Sequence, residues 1–224
     1  ILVVFNGMQY LPDCLASVMD ECRANPGSEV VAVDNASGDG SADWIAAHHP
    51  EVRLLRNTRN RGYAAAGNQG AAAAAGEVLV FLNQDTRVLP GWLRVLVDEL
   101  SLGAHVGLTT SKLLYMNQPD CIQLCGQELH YTGLVSGIGA LSPAADFTEA
   151  QQVGAVSGAS FASCRSLWAQ LGGFDERYFM YYEESNLSWR ASLLGYASWV
   201  VPGSVVLHDV GSQPSAEARY YMLR

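Results

Sequence analysis

Asp85 follows an unbroken apolar run, Val78-Leu79-Val80-Phe81-Leu82, across a short polar step, Asn83-Gln84. Such a run suits a parallel strand buried on both faces. Its carboxylate then falls at the carboxyl edge of the sheet, where open α/β sheets bind ligands. The same change recurs twice: Glu29 to Val33 gives way to Asp34-Asn35-Ala36-Ser37-Gly38-Asp39-Gly40-Ser41, and Val205 to Leu207 to His208-Asp209. Taken singly, each has a structural reading, because Asn and Asp favour turns and a lone histidine is usually a surface or core residue. A fourth stretch, Phe174-Asp175-Glu176-Arg177-Tyr178-Phe179-Met180-Tyr181-Tyr182-Glu183-Glu184, is the most unusual composition in the chain and leads into a helix. Glu183 reads as a helix N-terminal stabiliser. Glu184, walled by Phe179, Tyr181 and Tyr182, reads as a partly desolvated carboxylate whose raised pKa suits a general base.

These residues need strands and helices to carry them. Ile1 to Phe5 reads as a buried strand ended by Asn6-Gly7, and apolar spacing from Tyr10 to Cys22 predicts a helix. Ser41 caps a helix from Ala42 to His49 that Pro50 stops, Arg53 to Arg56 is a short strand, and Asn57 to Gly62 is a polar loop. Tyr63 to Ala75 is an alanine-rich helix in which Gly67 and Gly70 permit close approach to a sheet. A helix over Trp92 to Leu100 and a strand over Val106 to Thr110 continue an alternation that implies a mainly parallel, doubly wound α/β sheet. Residues 111–152 lose the pattern and read as hairpins and long loops. A strand-like stretch from Val153 to Ser163, a helix from Ser166 to Leu171, and two strands, Ala197 to Val201 and Val205 to Leu207, follow.

With 224 residues, the chain is long enough to bury about 70–75% of its unfolded surface. No run approaches the roughly 20 apolar residues of a membrane span. A net charge of -9 with only 13 scattered Lys and Arg argues against a nucleic-acid surface. Five cysteines read as reduced thiols, and Cys121 and Cys125 lack a second pair at zinc-ligand spacing. The chain opens directly in an apolar strand, with no basic stretch or signal peptide before it, which reads as a start inside a domain.

Four stretches, V-V-A-V-D-N-A-S-G-D-G-S from Val30, N-R-G-Y-A-A-A-G-N-Q-G from Asn60, V-L-V-F-L-N-Q-D-T from Val78 and G-G-F-D-E-R-Y-F-M-Y-Y-E-E from Gly172, occur in this order. Together they resemble the family 2 inverting glycosyltransferases of GT-A fold, in particular their rhamnosyltransferase-like bacterial branch. The resemblance implies one catalytic domain over 1–224, with a nucleotide-sugar-binding half at 1–110 and an acceptor-binding half at 111–224. It implies that Asp34 binds the nucleoside, with Asn6, Asn60, Arg61 and Gly62 lining its pocket. Asn83 and Asp85 occupy the DXD motif, and Asp85 with His208 would hold Mg²⁺ or Mn²⁺ on the diphosphate. Glu184 would be the general base, and Gly173, Phe174 and Asp175 would border the acceptor. The chain departs from the family at Asn83, where the first DXD aspartate is missing, at Glu184, which replaces an aspartate, and at Asn186, where a second aspartate is common.

The implied activity is metal-dependent transfer of rhamnose or another hexose from a nucleotide diphosphate sugar to a glycan or lipid-linked acceptor, in cell-surface polysaccharide synthesis. The implied location is the cytoplasm, or the inner face of the membrane if peripheral contact brings the domain to a lipid-linked acceptor. A non-catalytic nucleotide- or glycan-binding module on the same fold is the alternative. A nicotinamide oxidoreductase is disfavoured because no G-x-G-x-x-G follows the first strand.

Overall fold

The computed structural model describes residues 1–103 and 105–209. In chain order the elements are β1 (Leu2–Val4), α1 (Leu11–Ala24), β2 (Val31–Asp34), α2 (Ser41–His48), β3 (Arg53–Arg56), α3 (Tyr63–Ala73), β4 (Val78–Asn83), β5 (Thr86–Val88) and α4 (Trp92–Glu99). They continue with β6 (Val106–Tyr115), β7 (Gln118–Leu124), β8 (Gln127–Leu129), β9 (Val135–Gly137), β10 (Gln151–Val153), β11 (Ser160–Cys164), α5 (Arg165–Leu171), α6 (Glu183–Leu193) and β12 (Ala197–His208).

One sheet runs β10-β12-β6-β11-β4-β1-β2-β3, with β5 on β12 and β7 on β6. Strands β3, β2, β1 and β4 are parallel neighbours, as the strand-helix alternation predicts. Strand β11 then enters antiparallel between β4 and β6, so the sheet is mixed. Because β11 opposes both neighbours, β6 and its parallel partner β12 point the same way as β4. All six of these strands deliver their carboxyl ends to one edge. Two differences from expectation lengthen the scaffold there. Strand β6 runs on to Tyr115 rather than ending at Thr110, and β12 is one strand in which Pro202-Gly203 makes a register shift instead of a break.

Alternate residues of β4 divide the core. Leu82 packs with Leu11, Leu15 and Leu96 on the α1 and α4 face, whereas Leu79 and Phe81 pack with Phe161, Trp168, Phe174 and Leu187 on the α3, α5 and α6 face. The α3 glycines sit where the sequence requires small residues. A Cβ on Gly70 would press on Ile1 and Val33, and one on Gly67 would lie 2.9 Å from the Phe174 ring. Asn68, between them, accepts from the Phe174 N–H at 2.9 Å and donates back to its carbonyl at 2.9 Å, clamping that residue from outside. The buried Glu21 accepts from the N–H groups of Gly91 and Leu93 at 2.8 and 3.0 Å, satisfying orphan donors at the α4 N-terminus. Among the described residues no helix is long and apolar enough to cross a membrane, and all five cysteines are free thiols.

Phe174 is the keystone of the second face. It is 2% exposed and meets Trp168, Phe81 and Phe161 edge-on at centroid distances of 4.9, 5.3 and 5.9 Å. Phe174→Ala should therefore cost about 3–5 kcal/mol in urea unfolding; a loss under about 1 kcal/mol would contradict this packing.

Candidate active site

The carboxyl edge of the sheet holds a cleft of about 740 Å³. Asn60, Gly62, Asn83, Asp85, Glu184 and His208, six of the residues singled out from the sequence, all line it. A second hollow of about 450 Å³ lies at the opposite edge beside Ile1, Val78 and Trp92, and contains none of them. The chemistry-bearing side chains belong to the first.

Two strand ends meet inside the cleft. Antiparallel pairing of β5 with β12 sets His208 opposite Thr86, and the Asp209 N–H donates to the Asp85 carbonyl at 2.9 Å. His208 Nε2 consequently lies 3.3 Å from Asp85 Oδ1. The other ring nitrogen, Nδ1, donates to Gln123 Oε1 at 2.9 Å, which fixes the ring with Nε2 toward the carboxylate. Asp85 Oδ1 is buried and accepts no hydrogen bond. A carboxylate oxygen and an imidazole nitrogen that share one volume are a donor set that fits a divalent cation. Among the described residues no three His, Cys, Asp or Glu side chains converge at ligand spacing, so these two donors would leave most of the cation's positions to phosphate oxygens and water.

The loops after β1 and β2 form one polar network. Asn6, with φ of 47°, accepts from the Gly38 N–H at 2.8 Å and donates its own N–H to Ser37 at 2.9 Å. It therefore ties loop to loop and does not itself line the cleft. Asp34 is buried at the end of β2; its Oδ2 accepts from the Ser37 N–H, while Oδ1 has no partner. Asn35, unnoticed in the sequence, is the hub. Its amide donates to Asn60 Oδ1 and the Gly62 carbonyl, and its Oδ1 accepts from Asn57 and the Arg61 N–H. Arg61 contributes through that backbone group. Gly62 has φ of 83°, and a Cβ there would strike the Phe179 carbonyl, which also accepts from the Tyr63 N–H at 2.6 Å. The aromatic stretch is thus pinned to the start of α3.

That stretch ends in strain. Tyr181 and Tyr182 are consecutive left-handed residues at φ of 72° and 70°, an arrangement costly for side-chain-bearing residues. They turn the chain so that α6 begins at the cleft with both glutamates lining its wall. Glu184 Oε1 accepts from Ser185 Oγ at 3.1 Å, and the Gln127 amide supports it. Glu183 is also buried, and its Oε2 meets no donor at all. It stands in the first turn of α6, where the sequence reading places it, and it also lines the cleft. Burial and the neighbouring Glu184 push Glu183 up to about 8, and burial raises Glu184 as well.

The expected acceptor contacts lie elsewhere. Phe174 is packed in the aromatic core, so its ring is not available to a ligand. The Gly173 carbonyl accepts from Arg190 at 2.7 Å, and Asp175 is paired with Arg177, whose guanidinium holds the carboxyl down at about 2. None of the three lines the cleft. Asn186, one of the family departures, accepts from Arg190 Nε at 2.8 Å and also stands outside it. The cleft wall near Glu184 is built instead from Gln127, Met180 and Tyr181.

Glu183 makes stability depend on pH. A carboxyl raised from 4.5 to about 8 on folding contributes fully below the unfolded value and loses that contribution as pH rises through the folded one. The wild type should lose on the order of a few kcal/mol between about pH 5 and about pH 8.5, and Glu183→Gln, neutral throughout, should lose less. Identical pH profiles in thermal melts would contradict the assignment.

Comparison with known proteins agrees with this architecture. The family model "Glycosyl transferase family 2" matches residues 1–112. The chain is 31% identical over 203 residues to N-acetylglucosaminyl-diphospho-decaprenol L-rhamnosyltransferase of Mycobacterium tuberculosis, covering 80% of this chain and 66% of that relative. GalNAc-T7, solved with UDP, GalNAc and Mn²⁺, superposes with a TM-score of 0.77 at 23% identity over 99% of this chain and 46% of that one. The mannosyltransferase PcManGT from Pyrobaculum calidifontis, solved with GDP-Man and Mn²⁺, superposes with a TM-score of 0.71 at 19% identity over 99% and 59%. The chain thus spans about two thirds of its curated relative and about half of these solved chains. The structural likeness identifies the fold as GT-A. With half the chain matched by its model, this protein belongs to glycosyl transferase family 2.

Proposed function

We propose that the chain carries a metal-dependent inverting glycosyltransferase site, which moves rhamnose or another hexose from a nucleoside diphosphate to a hydroxyl of a glycan or lipid-linked acceptor. The observation that carries this reading is the meeting of Asp85, His208 and Glu184 on one cleft. Rhamnose and a lipid-linked acceptor are drawn from the name of the mycobacterial relative, and a role in cell-surface polysaccharide synthesis at the inner membrane face follows from them.

On this reading the first 110 residues hold the nucleotide and the remainder faces the acceptor. Asp34 Oδ1, buried without a partner, would accept from a nucleobase N–H. Asn60 and Gly62 would form the pocket wall that the Asn35 network holds in place. Asp85 and His208 would hold Mg²⁺ or Mn²⁺, which when bound neutralises charge developing on the departing diphosphate. Glu184 takes the proton of the acceptor hydroxyl as its oxygen bonds to the anomeric carbon from the face opposite the leaving phosphate. A single attack from that side inverts the configuration. No nucleophile from the protein is required.

Two measurements test this. Thermal melts with UDP, GDP and dTDP, with and without Mn²⁺, should show metal-dependent stabilisation by at least one of them, lost in Asp85→Asn and reduced in His208→Ala. No metal-dependent shift with any nucleotide would contradict the reading. Donor turnover, followed by mass spectrometry on a panel including UDP-N-acetylglucosamine, GDP-mannose and a nucleoside diphosphate rhamnose, should fall by about 10²–10⁴ in Glu184→Gln while donor binding persists. Unchanged turnover would remove Glu184 from the base role.

A further inference from the structure

Glu183 and Glu184 are adjacent carboxyls in one buried wall, and only one of them is needed as a base. Two carboxylates so placed do not ionise together at low cost, and their protons come off in two coupled steps. The surroundings decide which member carries the charge. Glu184 has donors: the Ser185 hydroxyl, whose one proton is shared between Glu184 Oε1 at 3.1 Å and Gln127 Oε1 at 3.0 Å, and the Gln127 amide. The backbone N–H groups of Tyr181 and of Glu183 itself reach the Glu183 carboxyl, but its Oε2 has no donor, and the residue is 4% exposed. The titratable groups facing Glu183 are Glu184 on its own helix, Tyr63 at the start of α3, Tyr181 in the strained turn and Asp85, with His208 in the same cleft. The acidic members disfavour a further negative charge. A cation does not resolve the unpaired oxygen either, because Glu183 forms no ligand cluster with Asp85 and His208.

An unpartnered acidic oxygen is costly unless something meets it when the cleft fills. Resting on the sugar-transfer reading, we propose that Glu183 stays protonated through turnover and donates a hydrogen bond from its carboxyl O–H to a hydroxyl oxygen of the transferred sugar, leaving Glu184 the sole anionic base. The acceptor's proton goes to Glu184, and Glu183 keeps its own. Glu183 is thus a sugar-binding residue that also separates the roles of the pair. It would favour donors presenting a hydroxyl at that point over deoxy analogues lacking it.

The protonation half is read without turnover. At about pH 7, the wild type should show a protonated-carboxyl C=O band in the infrared that disappears in Glu183→Gln. Absence of that band in the wild type overturns the proposal, whether or not transfer has been observed. The sugar half is read with whichever panel donor is turned over. Glu183→Gln, neutral and still a donor, should retain several times the kcat/KM of Glu183→Ala near pH 7 and move the alkaline limb of the pH profile upward, whereas Glu183→Ala should lose about tenfold. Affinity for the corresponding nucleoside diphosphate with Mn²⁺ should stay within about twofold in both variants, since the nucleotide does not touch Glu183. Should Glu183→Ala fail to fold, Glu183→Met supplies the donor-less comparison. A Glu183→Gln as impaired as Glu183→Ala, or an unmoved alkaline limb, overturns the proposal. Failure of the wild type with every donor overturns the glycosyltransferase reading of the cleft and the sugar contact with it, while the infrared band still decides the proton on Glu183.

Discussion

The structure depends on the pairing that brings the last residues of β12 alongside β5. Through it a histidine from one end of the chain stands 3.3 Å from a carboxylate more than a hundred residues earlier. The pairing needs β12 to remain one strand past Pro202-Gly203, so that its second half can lie between β6 and β5. It also needs β11 between β4 and β6, which sets β6 and β12 parallel to β4. The Asp85 carboxylate and the His208 imidazole are both groups that a divalent cation takes as ligands.

Around that junction the cleft is organised by backbone-directed polar contacts. Asn35 gathers Asn57, Asn60, Arg61 and Gly62 into one network, and Gln84 makes a two-point amide contact with Phe5 that prolongs β1 beyond its last ladder pair. The opposite wall is set by strain. Two consecutive left-handed tyrosines, anchored through Phe179 to Gly62 and Tyr63, start α6 at the cleft and carry two glutamates into a site where one oxygen of Glu183 is left without a donor. Strain of this kind persists only where the surroundings over-determine it.

Much of this was legible in the chain because strand ends announce themselves. A buried strand must be apolar, so the abrupt polar step after Leu82, Val33 or Leu207 marks the sheet's working edge. The small residues of α3 were equally readable, since only Gly fits against Ile1 and Phe174. Strand direction was not. β11 is buried like the parallel strands β1 and β2, and antiparallel insertion depends on non-local pairing that composition does not encode. Nor did residue type tell where Phe174 and Glu183 point: Phe174, which the resemblance puts at the acceptor, lies in the core, and Glu183, read as a helix N-terminal stabiliser, also lines the cleft. Gln123 and Gln127, from the motif-poor 111–152 segment, carried no signal, because a hydrogen bond to His208 or Glu184 exists only once the sheet is assembled.

The central claim is that one cation site joins the end of β12 to the residues that follow β4, at the cleft where sugar is transferred. The most direct measurement is a crystal structure with Mn²⁺ and a bound nucleoside diphosphate, phased to reveal anomalous scattering from manganese. The account predicts a single peak in bonding contact with Asp85 Oδ1 and His208 Nε2 and with oxygens of the diphosphate, and with Glu184 across the cleft from it. A peak away from both residues, or none at saturating nucleotide, would contradict it.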